Sequence, residues 1–314
     1  MKISYTFKCD TTEQKRLLQE LKKSTYRPEN VPHTVIAVSI EQCRINLYTS
    51  GKLLIQGKRA KEWIEFVLEP TILQRIEIGY DEILDPKSLE PHMGIDESGK
   101  GDFFGPLVIA SAYTDEKSVA LLKEVGVQDS KRIKSDRKII TLAKEIRRIL
   151  KNQCTVITIG SESYNRMYSK VRNVNKMLAW GHARAIENLL EITPDCPRAL
   201  SDKFGPDNRI KSALMERGKK ILLEQRTKAE SDPAVAAASI LARAGFVMAL
   251  KKMENDLQLD IPKGAAEHVR SVAENLIEKH GPAILTKTVK CHFKTTDQVL
   301  AAKGMTRHDL PTFN

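Results

Sequence analysis

The segment Pro233–Leu250, PAVAAASILARAGFVMAL, constrains the fold more than any other part of the chain, because eighteen consecutive residues carry one charge, Arg243. A membrane span needs roughly 18 or more uncharged apolar residues. Arg243 interrupts this run, so no span is expected. The periodicity predicts a long helix over Ala234–Asp256, and the small side chains of Ala234–Ala242 suit close packing against neighbouring elements. Just ahead of it stands Lys228-Ala229-Glu230-Ser231-Asp232, where acids offset the helix dipole.

Strands and other helices surround this segment. Leu107–Tyr113 and Cys154–Ile159 read as strands, and Ala199–Ser201 and Ile221–Leu223 as very short ones. Helical spacing runs through Ser118–Val125, Asp136–Asn152, Val174–Leu190 and His268–His280, and the tail after Thr295 is polar. That order predicts an α/β unit with a central sheet covered on both faces. Residues 1–80 read as a smaller α+β unit. It has a strand over Lys2–Phe7 and a helix over Gln14–Lys23 capped by Thr11 or Thr12. A loop over Tyr26–Pro32 leads to strands Thr34–Ile40, Cys43–Tyr48 and Lys52–Gln56, then a helix over Ala60–Leu68. Residues 81–92, with Pro86, Pro91 and several acids, suit a linker between it and residues 93–314.

Charge narrows the partner. The 314 residues carry 51 Lys and Arg against 40 Asp and Glu, a net +11, which points to a polyanion. Residues 1–90 hold 14 basic and 13 acidic residues, so nearly all the excess lies beyond them. The N-terminus has no uninterrupted apolar stretch, so no secretory signal is expected. Five scattered cysteines without a C-x-x-C pair suggest neither a zinc site nor a disulfide framework, and a reduced, cytoplasmic protein is expected.

Three places could carry chemistry. In Gly94-Ile95-Asp96-Glu97-Ser98-Gly99-Lys100-Gly101-Asp102, two adjacent carboxylates sit where a strand ends, and glycines let backbone approach a bound group. Hard oxygen ligands of this kind suit magnesium or manganese. The plainer reading is a solvated acidic turn, which the glycines and the net positive charge weaken. Asp202, in Ser201-Asp202-Lys203, again follows a short apolar run. Glu230 and Asp232 precede the alanine-rich helix, where helix capping is the competing explanation. Basic residues cluster in Asp129-Ser130-Lys131-Arg132, where Ser130 and Lys131 suit a phosphate contact, as does Lys52 after Gly51. His182 and His292 lack metal-ligand spacing and read as structural or surface groups.

Together these segments resemble the bacterial ribonuclease HIII family over nearly the whole chain. The signature is Gly94–Leu107, followed by Asp129-Ser130-Lys131, Tyr164-Asn165 to Tyr168, Met177–His182, Lys228-Ala229-Glu230, Ala236–Arg243, Pro262-Lys263-Gly264 and His292-Phe293-Lys294. The related ribonuclease HII family usually has Gly-Arg-Gly where this chain has Gly99-Lys100-Gly101. Residues 1–80 resemble the TATA-binding-protein-like domain that precedes the catalytic domain in this family.

The resemblance implies a ribonuclease H-like mixed sheet flanked by helices, with catalytic acids Asp96, Glu97, Asp202 and Glu230, and Asp232 as the alternative for the fourth. Lys203 departs from the family pattern by placing a cation beside the site. The implied activity is hydrolysis of the RNA strand of an RNA–DNA hybrid, leaving 5′-phosphate and 3′-hydroxyl ends. Two Mg2+ or Mn2+ ions about 4 Å apart would activate water and stabilise the leaving oxygen. Asp96 would bridge the ions, Glu97 and Asp202 would hold the first, and Glu230 the second. The Gly99-Lys100-Gly101 backbone would read the 2′-hydroxyl, which separates RNA from DNA, and Ser98 would be a further substrate contact. No membrane and no obligate protein partner is expected, and the chain is expected to be a monomer.

Overall fold

The computed structural model describes residues 4–74, 86–127, 130, 133–202, 208–227 and 229–312. The chain divides into two compact units, residues 1–85 and 86–314.

In the first unit, β1 (Ser4–Lys8), β2 (Arg27–Pro28), β3 (Thr34–Ile40), β4 (Cys43–Tyr48) and β5 (Lys52–Gly57) form one antiparallel sheet in the order β1-β5-β4-β3-β2. Alternation along the strands sends Phe7, Val38, Ile45, Leu47, Leu53 and Ile55 into the core. There they meet Leu17 and Leu21 of α1 (Thr11–Leu21) and Trp63 of α2 (Ala60–Trp63). The cap of α1 is Asp10, one residue before the predicted Thr11. Its side chain accepts from the Thr12 and Glu13 amides while Glu13 accepts in return from the Asp10 amide, a reciprocal pairing that neither threonine makes. After α2 the chain widens into a π-helical stretch, Ile64–Leu73, containing Pro70, which has no amide to donate to an α-helical ladder. The predicted loop over Tyr26–Pro32 contributes the two-residue edge strand β2.

The second unit is built on β6 (His92–Ser98), β7 (Leu107–Thr114), β8 (Cys154–Ile159), β9 (Arg198–Asp202) and β10 (Leu222–Arg226), in the order β10-β9-β6-β7-β8. β10, β9 and β6 run parallel, whereas β7 and β8 are antiparallel to their neighbours. His92, the last residue of the predicted linker, is therefore the first residue of the central strand, and residues 81–85 lie outside the described residues.

Helices cover both faces, as the order of elements predicts. In chain order they are α3 (Glu116–Glu124), α4 (Asp136–Leu150), α5 (Ser161–Val171), α6 (Val174–Ile192), α7 (Asn208–Ala213), α8 (Pro233–Leu257), α9 (Glu267–His280), α10 (Ile284–Thr288) and α11 (Lys294–Ala302). The pleat of β7 divides the core: Val108, Ala110 and Ala112 pack with α4, α8 and α9, whereas Leu107 and Ile109 pack with α6. Helix α8 is long and apolar enough to cross a membrane by composition, yet most of its apolar residues, among them Ala237, Ile240, Leu241 and Phe246, are buried within the unit. It meets β6 backbone to backbone. A Cβ on Gly94 would lie 2.1 Å from the Val235 nitrogen, so glycine is required there. The tail after Thr295, read as polar, forms most of α11, because Val299 and Leu300 are fully buried with Val269 and Leu276. Burying each such side chain contributes about 1.5–3 kcal/mol.

Candidate active site

The site lies where two parallel strands end. Ile95 of β6 is the register partner of Ser201 of β9, so the next residues, Asp96 and Asp202, stand side by side. Asp96 and Glu97 are consecutive, and the pleat sends them to opposite faces of the sheet. Asp96 receives a hydrogen bond from Ser239 on α8, and its Oδ1 accepts from the Glu97 amide at 2.8 Å. Glu97 turns toward α6, where Oε2 lies 2.9 Å from Nε2 of His182. At the strand ends the three carboxylates border one cavity of about 360 Å3. Burial, with the Glu97 carboxylate beside it, pushes Asp96 up to about 7.

Glu230 comes from a third segment, the 3-10 turn Ala229–Ser231 that leads into α8. This turn is joined to the site by the Ala229 amide, which donates to Asp202 Oδ1 at 3.4 Å. Glu230 itself does not border the cavity, which is lined instead by Ser98, Gly99, Lys100, Gly101, Ser130, Ser239 and Arg243 in addition to the three acids. Among the described residues, no three carboxylate, imidazole or thiol side chains close on one point at coordinating distance.

Asp232, the alternative fourth acid, is committed elsewhere. It is 1% exposed, caps α8 by accepting from the Ala234 and Val235 amides, and lies 2.9 Å from His92 Nε2. Both amides bond Oδ1, and Oδ2 faces His92 Nε2 at 3.0 Å and the Arg226 guanidinium at 3.8 Å, so the carboxylate is turned away from solvent.

The Gly99–Gly101 turn is held in a backbone conformation that favours glycine. Gly99 has φ +88°, and a Cβ there would lie 2.2 Å from the Pro106 carbonyl oxygen, whereas the space around Gly101 is open. Lys100 Nζ stands 3.8 Å from Glu97 Oε1, at the mouth of the cavity. Ser130 and Ser239 share a 2.6 Å hydrogen bond, and the Arg243 guanidinium donates to the Ser130 carbonyl. Lys131, Asp129 and Lys203 lie outside the described residues. Lys52 is an exposed residue of β5 in the first unit.

Sequence reasoning left out Ser239, Arg243 and above all His182. Read as structural or surface, His182 is fully buried: Nδ1 lies 3.0 Å from Ser201 Oγ, and Nε2 reaches Glu97. The missed signal was its spacing with Leu178 and Ile186, which places the imidazole on the core-facing stripe of α6. His292 is half-buried. It packs against Tyr168 with ring centres 4.6 Å apart, and burial lowers it to about 4.

The donor chemistry of the cavity fits a divalent cation. Its carboxylate oxygens are hard ligands, and a half-buried cluster of them is costly without compensating positive charge.

Comparison with known proteins finds relatives over both units. Residues 93–296 match the profile of the family described as Ribonuclease HII, and residues 4–74 match a domain of unknown function, DUF3378. The chain is 40% identical over 295 residues to a protein named Ribonuclease HIII from Chlamydia pneumoniae, covering 93% of this chain and 97% of that one. It is 38% identical over 291 residues to the Ribonuclease HIII of Protochlamydia amoebophila, covering 92% and 94%. Among solved structures, Bst-RNase HIII in complex with Mn2+ superposes with a TM-score of 0.65 at 28% identity, covering 96% of this chain and 99% of that one.

Proposed function

The chain belongs to the ribonuclease HII family and is a ribonuclease H, and we propose that it hydrolyses the RNA strand of RNA–DNA hybrids with the help of two divalent metal ions, leaving 5′-phosphate and 3′-hydroxyl ends. The observation that carries this reading is that Asp96 and Asp202 directly follow the last registered pair of β6 and β9, Ile95 and Ser201, with Glu97 on the same cavity. A phosphodiester and its attacking hydroxide are both anionic, so attack is opposed until local positive charge offsets it. When bound, Mg2+ or Mn2+ supplies that charge and acidifies water. Asp96 would bridge the two ions, Glu97 and Asp202 would hold the first, and Glu230 would hold the second from its flanking turn. The Mn2+ complex of Bst-RNase HIII supports a divalent ion in this family.

The backbone of Gly99–Lys100–Gly101, with Ser98, contacts the RNA sugar edge, and the open space around Gly101 supports close approach of a ribose. Ser130 and Lys131 contact phosphate, and such contacts make affinity fall with salt. The first unit, read as the TATA-binding-protein-like domain, adds duplex contacts through its sheet and Lys52. Because residues 1–90 are nearly neutral, shape and local patches supply those contacts. Residues 91–314 alone are therefore expected to bind hybrid several-fold more weakly at moderate salt. Equal affinity with and without the first unit, measured by fluorescence anisotropy, would contradict this. The protein acts as a cytoplasmic monomer.

The test of activity is cleavage of a long RNA–DNA hybrid with Mg2+ and with chelator, beside a duplex carrying a single embedded ribonucleotide. The expected result is metal-dependent cutting that favours the long hybrid. Preference for the single ribonucleotide would assign the specificity of ribonuclease HII instead.

A further inference from the structure

Lys290 is a lysine with no solvent exposure at all, an uncommon and costly placement for an ammonium group. Among the described residues, no carboxylate oxygen is one of its hydrogen-bond acceptors. Nζ donates to three backbone carbonyls, those of Asp102 at 2.9 Å, Gly105 at 2.8 Å and Phe104 at 3.4 Å. An ammonium has three donors, and all three are spent on one short loop. The rings of Tyr164 and Phe246 stand 5.8 and 5.9 Å from Nζ and add cation–π attraction.

That loop immediately follows Gly99–Lys100–Gly101. It is also tied to the C-terminal segments through backbone: the Lys290 amide donates to the Phe103 carbonyl, and the Gly105 amide to the Thr288 carbonyl. The Asp102 carboxylate accepts from the Gly264 amide at 2.6 Å. Phe246, whose ring lies beneath the ammonium, also limits the space at Gly99 and Gly105. The turn bordering the cavity is thus fixed from behind, and Lys290 fixes three peptide planes of the loop with one side chain.

We propose that Lys290 is a positioning residue for substrate selection: it holds the loop so that Gly99–Lys100–Gly101 meets the RNA sugar edge, without touching substrate or the metal-binding acids. This rests on the reading above that the turn contacts RNA. Lys290 governs how tightly the ribose strand is seated, so its loss acts on KM for hybrid and leaves the chemical step nearly intact.

The test uses the full chain with Lys290→Met, which keeps length and removes the donors, and Lys290→Gln, which restores amide donors on a shorter stem. Steady-state cleavage of hybrid, competition by an all-DNA duplex and thermal melting are measured on each. The expected result is KM for hybrid raised about tenfold in Lys290→Met with kcat within about threefold, a smaller rise in Lys290→Gln, and unchanged competition by DNA. An unchanged KM, or equal weakening toward hybrid and DNA, would overturn the inference. If Lys290→Met does not fold, Lys290→Gln decides by the same split. Should the wild-type protein itself show no preference for hybrid over DNA, the reading of the turn fails. A wild-type preference that both variants retain defeats the role of Lys290 alone.

Discussion

Replacing Asp202 by asparagine is expected to leave the protein folded and to lower hydrolysis of an RNA–DNA hybrid about a thousandfold or more. Asp202 ends β9 beside Asp96, and among the described residues its carboxylate accepts the long 3.4 Å contact from the Ala229 amide. An asparagine oxygen can still accept that bond, so the local structure has little reason to change. What disappears is a negative charge at the point where cations must be held against a phosphodiester. The substitution also removes repulsion between neighbouring carboxylates, so the melting temperature should hold or rise slightly. Turnover near wild-type, in a preparation free of contaminating nuclease, would take Asp202 out of the proposed machinery.

Asp232 and Glu230 should separate in the opposite sense. Asp232 caps α8 and lies against the fully buried His92. Asp232→Ala is expected to cost roughly 3 kcal/mol of stability, from a lost helix cap of about 1 kcal/mol and a buried charge-assisted hydrogen bond of about 1.5–3 kcal/mol. Glu230→Gln, on a partly exposed turn, should melt like wild-type while losing activity about a hundredfold. Denaturant unfolding and hybrid cleavage, run on both variants, check this. A fully stable but inactive Asp232→Ala, paired with an active Glu230→Gln, would exchange the two roles.

Much of this architecture was legible because the decisive residues are chemically unusual where they stand. Glycines with adjacent acids in Gly94–Asp102 marked a strand end approached closely by other groups, and the structure gives the reasons: Gly94 touches α8 backbone and Gly99 has a positive φ. Strand β9 was legible as Ala199–Ser201, yet nothing in that short run set its register against β6, and the register is what brings Asp202 beside Asp96. Helix α5 escaped notice because its core-facing groups are Tyr164 and Asn165, and Asn165 is buried by bonding to the backbone of Thr286, Val289 and Cys291. The capping of α8 by Asp232 was legible from its place just ahead of the helix, but its further partner His92, 140 residues away in sequence, was not. The same distance problem hid the pairing of His182 with Glu97, and hid Lys290 behind the glycine turn. Long-range partners of polar groups leave no local period to read.

Binding of Mn2+ by the full-length protein, titrated calorimetrically for wild-type and Asp202→Asn, tests the central claim most directly. Convergence of Asp96, Glu97 and Asp202 on one cation-holding cavity predicts saturable binding to wild-type that weakens at least about tenfold in the variant, with both proteins equally folded. Identical Mn2+ affinity and stoichiometry in the two would mean that cations, if they bind, are held somewhere else.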